Sequence, residues 1–117
     1  KDYFEELNRH RIQNNVWIRG IWPQTNSVDL KNHPFMGTGK EFKREIRVAP
    51  KGTHWDMGLW IYGDKVAFIS SKKEAFGFIV QSKDFAGLMR AQFEFIWKDS
   101  KPLKPDFKYN QEFLKSI

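Results

Sequence analysis

Residues 57–98 constrain the fold more than any other part of the chain. Met57 to Tyr62 and Lys65 to Ser71 are short apolar runs separated by Gly63-Asp64, the composition of a tight hairpin turn. Lys72-Lys73-Glu74 forms a second polar turn, and Phe76 to Gln81 reads as a further strand. Ser82 then stands where a helix N-cap belongs, with Asp84 in the first turn to suit the helix dipole. Phe85, Leu88, Met89, Phe93, Ile96 and Trp97 follow at helical spacing, which predicts one apolar face packed on the sheet.

The rest of the chain reads more sparsely. Asp2 can cap a helix to about Gln13, with Phe4 and Leu7 on one face. It would either cover the sheet or pack against a second copy. Val16 to Trp22 alternates as a strand and stops at Pro23. Gln24 to Lys40 is loop-like, with room for one helical turn at Ser27 to Asn32. Phe42 to Ala49 is a strand, with Ile46 and Val48 expected inward and Arg44, Glu45 and Arg47 outward. Pro50-Lys51-Gly52 closes it in a turn. After Asp99 come a Pro- and Lys-rich extended stretch and a weak helical pattern over Phe107 to Ile117, expected either to dock on a partner or to fray. The expected fold is α/β (α+β): a mixed sheet of about five strands with an amphipathic C-terminal helix on it. The expected divisions are an N-terminal helix over 1–14, a central domain over 15–98 and an extension over 99–117.

Composition narrows the function classes. The 117 residues suffice for one domain with its own core, and eleven Phe and five Trp supply its bulk. No apolar run approaches the roughly 18 residues of a membrane span, so no membrane partner is expected. The absence of cysteine excludes disulfides and thiolate metal sites and fits a reducing cytoplasm. The net charge of +6 favours anionic partners. The basic residues are scattered, however, and a Lys-rich solvated surface is the preferred reading over direct nucleic-acid binding.

Candidate chemistry is thin. His10, His33 and His54 are far apart, so neither a metal site nor a cofactor is expected. Gly37-Thr38-Gly39-Lys40 departs from a phosphate-binding loop, because Glu41 follows the lysine and a strand follows where a helix is required; a simple anion contact at Lys40 remains open. Arg19, Arg44 and Arg47 alternate with apolar residues; a solvated strand face is the preferred reading, and the lining of a pocket mouth the alternative. Trp60 and Tyr62 fall opposite Leu59 and Ile61. In a sheet covered on both sides they are core, the preferred reading; in a one-sided sheet they would form a stacking platform for sugars or bases.

Asp56 to Ser71, DMGLWIYGDKVAFISS, resembles the strand pair that carries HxKxxxxD and a following GS in the phospholipase D fold. Aligned through Gly63-Asp64-Lys65, the His position falls on Asp56, the Lys position on Gly58, the Asp position on Gly63 and the GS pair on Ser70-Ser71. Arg44 to Arg47 with Pro50, the hairpin, Glu74 to Val80, and Ser82 to Trp97 extend the likeness over about residues 43–98. This region is similar to the effector domain of TrmB-type transcriptional regulators, a degenerate phospholipase D-like half unit. The resemblance implies a non-catalytic effector-sensing and dimerising domain, with a winged helix-turn-helix that contacts DNA lying upstream of Lys1. Homodimerisation, a sugar or anionic effector, and a ligand site drawn from Arg19, Lys40, Arg44, Arg47 and Trp60 are the corresponding expectations. The alternative from the residues alone is a small basic nucleic-acid-binding module. Phosphodiesterase activity is expected least, because neither Asp56 nor Gly58 can form a phosphohistidine or hold a phosphate as lysine does.

Overall fold

The computed structural model describes residues 2–23, 31–70, 73–105 and 108–117. Helix α1 spans Asp2–Gln13 and leads into strand β1, Ile18–Trp22. Two single-turn 3-10 helices, Pro34–Met36 and Lys40–Phe42, precede β2, Arg44–Val48. Strands β3, Gly58–Tyr62, and β4, Lys65–Ile69, form the expected hairpin, with Gly63 in the turn at a φ of 57°. Strand β5, Gly77–Gln81, runs into α2, Lys83–Asp99, and the chain ends through β6, Lys101–Pro102, and α3, Gln111–Lys115. Of the expected features, the Asp2 side-chain cap, the turn at 27–30, Ser71 and Phe107 lie outside the described residues.

The strands expected in one sheet form two. The first is ordered β1-β2-β6, with β1 parallel to β2 and β6 antiparallel to it; the second is an antiparallel β3-β4-β5 meander. The reason lies at β2. Val48 pairs with Trp22 on one side and with Lys101 on the other, so β2 has no free edge for β3. The chain turns away at Pro50, whose carbonyl accepts from the Thr53 N–H at 3.1 Å and its hydroxyl at 2.6 Å. Residues 53–57 carry no ladder before β3 begins.

The second sheet is covered on one face by α2. The Ser82 hydroxyl caps the helix, accepting from the Phe85 N–H at 3.1 Å. Beneath it, Val66 and Ala86 are fully buried and the Phe85 ring lies 6.2 Å from that of Phe68. The contact line along α2 is Phe85, Met89, Phe93 and Trp97, one residue every four. Leu88 and Ile96, expected to be buried with them, are exposed. Two interstrand spacings of ~4.8 Å are no wider than one helix, so a three-stranded sheet cannot cover the flanks of a broad apolar face.

A second core gathers residues distant in sequence. Ile12, Phe35, Phe42 and Phe113 form a buried cluster, with Met36 and Leu114 packed against it. The Phe42 and Phe113 rings stack at 6.0 Å with 4° between planes. A side chain at Gly37 would collide with the Phe42 ring, so the loop closes over it only with glycine there. The C-terminal segment therefore docks on its own chain. Asn110 Nδ2 donates to the Pro34 carbonyl at 2.6 Å, and the Arg9 guanidinium sits 5.0 Å from the Phe113 ring.

Truncating Phe113 to Ala should cost roughly 3–5 kcal/mol of stability, whereas Leu88→Ala should cost less than about 1 kcal/mol. Equilibrium urea unfolding measures both. A Phe113→Ala variant as stable as the parent would remove the tail from the core.

Candidate functional site

The five expected ligand residues separate into three places. Arg44, expected outward, is only 5% exposed. It shares strand parity with Ile46, so the packing of Ile46 carries Arg44 inward as well. Its Nη1 donates to the carbonyls of Phe35 (3.3 Å) and Gly37 (3.0 Å), and its Nη2 to Asn8 Oδ1. Arg11 meets it there. The Arg11 Nη2 donates to the same Asn8 oxygen at 3.0 Å and to the Phe42 carbonyl at 2.8 Å, while its Nη1 serves the carbonyls of Val16 (2.9 Å) and Lys43 (2.8 Å). Burial, and then the neighbouring Arg11 charge, push the Arg44 guanidinium down to about 10; burial lowers Arg11 too. Both remain cationic at neutral pH, and their donors are spent on carbonyl oxygens rather than on a ligand.

The 37–40 loop is likewise committed to the fold. The Gly39 N–H donates to the Arg44 carbonyl at 2.7 Å, and the Thr38 hydroxyl donates to the same carbonyl while accepting from the Ile46 N–H. Lys40 is exposed beside a recess of about 250 Å³ that Glu45 also lines. The carboxylate there works against an anion.

Arg19 and Arg47 face α2 rather than a pocket mouth. The Arg19 guanidinium lies 5.1 Å from both the Phe93 and the Trp97 ring centroids and pairs with Glu94. Arg47 sits 4.2 Å over Trp97 and donates from Nη1 to the Trp97 carbonyl at 2.8 Å. Its Nε is buried with no hydrogen-bond partner among the described residues. The two arginines thus clamp the last turns of α2 onto the first sheet through the tryptophan. The hydrogen bond to Glu94 raises Arg19, and its reciprocal lowers Glu94 below the usual glutamate value.

Trp60 stands elsewhere, with Tyr62, on the face of the second sheet that α2 does not cover. They are 48% and 44% exposed, so the preferred reading of both as core is corrected: this sheet is one-sided. At the positions that resemble a phosphodiesterase motif, Asp56 is exposed and pairs with His54 at 3.3 Å, Gly58 opens β3, and the Ser70 hydroxyl accepts from the Phe76 N–H at 2.6 Å. Among the described residues no group of three His, Asp, Glu or Cys side chains could hold a metal ion, and no helix is long and apolar enough to cross a membrane.

One groove was not anticipated. A shallow groove of about 560 Å³ runs between the loop after β2 and the end of α2, lined by Thr53, His54, Trp55, Phe95, Ile96 and Asp99. Phe95 is 80% exposed. Its signal was present in the sequence: it falls off the apolar stripe of α2, on the helix's solvent side, where a phenylalanine has no packing role. The groove combines two aromatic faces with a histidine, a hydroxyl and a carboxylate, suited to a small polar molecule with an apolar ring face.

No protein-family model, curated protein or solved structure matches this chain.

The Glu94 contribution to stability has a definite sign. A carboxylate held low in the folded state stabilises above the usual glutamate value, and that stabilisation disappears as pH falls through its lowered value. Glu94→Gln should therefore lower the melting temperature slightly at about pH 7 and progressively less as pH falls below the usual glutamate value, and molar salt should shrink the neutral-pH difference. Equal losses at every pH would show that Glu94 acts by packing alone.

Proposed function

We propose that this chain is a non-catalytic effector-binding and self-associating domain of a TrmB-like transcriptional regulator, built on a degenerate phospholipase D-like framework, with its DNA-binding winged helix upstream. The groove at Trp55 and Phe95 carries this reading. It offers stacking faces beside polar groups, and its one described carboxylate, Asp99, disfavours an anion. The effector is accordingly an uncharged polyhydroxylated molecule of sugar type. The positions aligned with a phosphodiesterase nucleophile and phosphate ligand, Asp56 and Gly58, supply neither chemistry.

Signal transmission follows from what the groove touches. A ligand bridging the 50–55 loop and Phe95 would bias the position of α2, whose Trp97 is gripped by Arg19 and Arg47 of the first sheet. The opposite side of β2 meets α1 through Arg44 and Asn8. Helix α1 exposes Tyr3, Phe4 and Leu7, which form the contact between two copies in this reading. A shift there would alter the spacing of two upstream DNA-binding domains.

A panel of neutral mono- and disaccharides screened by thermal shift tests the site. A ligand at about 100 times its dissociation constant should stabilise the domain by about 2.7 kcal/mol. Trp55→Ala or Phe95→Ala should abolish that gain while leaving the unliganded melting temperature nearly unchanged. Stabilisation that survives both substitutions would place the effector elsewhere.

Self-association has its own test. Light scattering should give a dimer mass at high micromolar concentration and a monomer for Leu7→Asp. A monomeric parent would move dimerisation outside this chain.

A further inference from the structure

We infer that the outer face of the second sheet is a stacking platform for single-stranded nucleic acid. The strand register composes this face. Trp60, Ala67 and Ile79 form one cross-strand row; Tyr62, Lys65 and Gln81 form the next; Gly58, Ile69 and Gly77 form a third. Helix α2 lies on the opposite face, with Phe85 against Phe68, and nothing described covers this one. Trp60 and Tyr62 make no ring contact among the described residues, and Ile79 is 63% exposed. The two glycines leave Ile69 as the one side chain of the third row, and the Trp60 indole nitrogen lies close to Gly58, 3.9 Å from where a Cβ would stand.

Size and charge select the occupant. Three strands of five residues give a platform on the order of 10 by 16 Å. That is far below the roughly 800 Å² per partner of a standing protein interface. It suits two or three bases. Side chains two apart on a strand are about 7 Å apart, so Trp60 and Tyr62 can each take one base of a splayed backbone. Among the described residues of these three rows there is Lys65 and no carboxylate, and the whole chain is at +6. A polyanion with flat apolar bases meets both conditions, whereas a neutral sugar would leave the charge unused.

Fluorescence anisotropy with a labelled oligothymidylate of about ten nucleotides at about 50 mM salt tests this directly. The parent should bind, with affinity falling as salt rises. Trp60→Ala and Tyr62→Ala should each weaken binding roughly 5- to 150-fold, the loss of one base–aromatic stack. Lys65→Gln should reduce the logarithmic salt slope by about 0.7. All three side chains are exposed, and an unchanged urea midpoint verifies that each variant is folded. No binding by the parent, binding indifferent to both aromatic substitutions, or equal affinity for a duplex would each overturn the inference. So would a dimer that Trp60→Ala converts to monomer without any oligonucleotide binding, because a second copy would then be the occupant.

Discussion

Asn8 Oδ1, accepting from both Arg11 and Arg44, is the junction on which the N-terminal half of the molecule depends. Two guanidinium groups are buried together with no carboxylate among their described partners. What they provide is donors. Between them they donate to the carbonyls of Val16, Phe35, Gly37, Phe42 and Lys43, all in the loops and single 3-10 turns between α1 and β2. A buried carbonyl left unmade costs about 1–3 kcal/mol, so the loop from 35 to 43 can close over Phe42 only while these arginines are in place. Lys43 shows the constraint most plainly. Its backbone is held in the left-handed region, at a φ of 49°, and its carbonyl accepts from both Arg11 and the Ile18 N–H. The same few atoms thereby fix α1, the loop and the start of β1 relative to β2.

The two sheets communicate chiefly through α2. Its first half lies on the second sheet through Phe85; its last turns are held to the first sheet by arginine stacking on Phe93 and Trp97. Cation–π contacts of this kind contribute about 0.5–2 kcal/mol each, less than a closely packed apolar interface. The helix therefore has one firm attachment and one softer one. The groove at Trp55 and Phe95 sits beside the softer end, which is where a bound molecule can have the largest effect for the least energy.

The local elements were legible in the sequence because their causes are local. The Gly63-Asp64 turn, the Ser82 cap and the presence of an apolar stripe on α2 are each decided within a few residues, although the stripe proved narrower than expected, without Leu88 and Ile96. Pairing was not legible. Lys101–Pro102 is two residues long and carries no strand pattern, yet by occupying the edge of β2 it divides the expected sheet in two. Phe113 falls in a weak helical pattern expected either to dock on a partner or to fray, and only its contact with Phe42 reveals it as core. The candidate site suffered from a related blind spot. Arginines at alternating positions look like a solvated strand face or a pocket lining, but strand parity sends Arg44 to one side and Arg19 and Arg47 to the other. Each then satisfies the fold instead of a ligand. Trp60 turned on how many layers cover its sheet, which no single strand encodes.

The contact between Arg9 and Ser116 has a topological consequence. Arg9 Nη1 donates to the Ser116 carbonyl and hydroxyl, at 3.2 and 2.6 Å, so α1 and the last residues of the chain lie side by side. Within residues 2–117 taken as an isolated unit, a short flexible peptide could join α3 to α1, and the unit could then be opened at the exposed Gly63-Asp64 turn to give a circular permutant that keeps both cores. In that rearranged order, α3 would precede α1 and the two would form a continuous helical hairpin over Phe42. The aromatic cluster now assembled from opposite ends of the chain would then be closed by neighbours in sequence, and it should form earlier in folding.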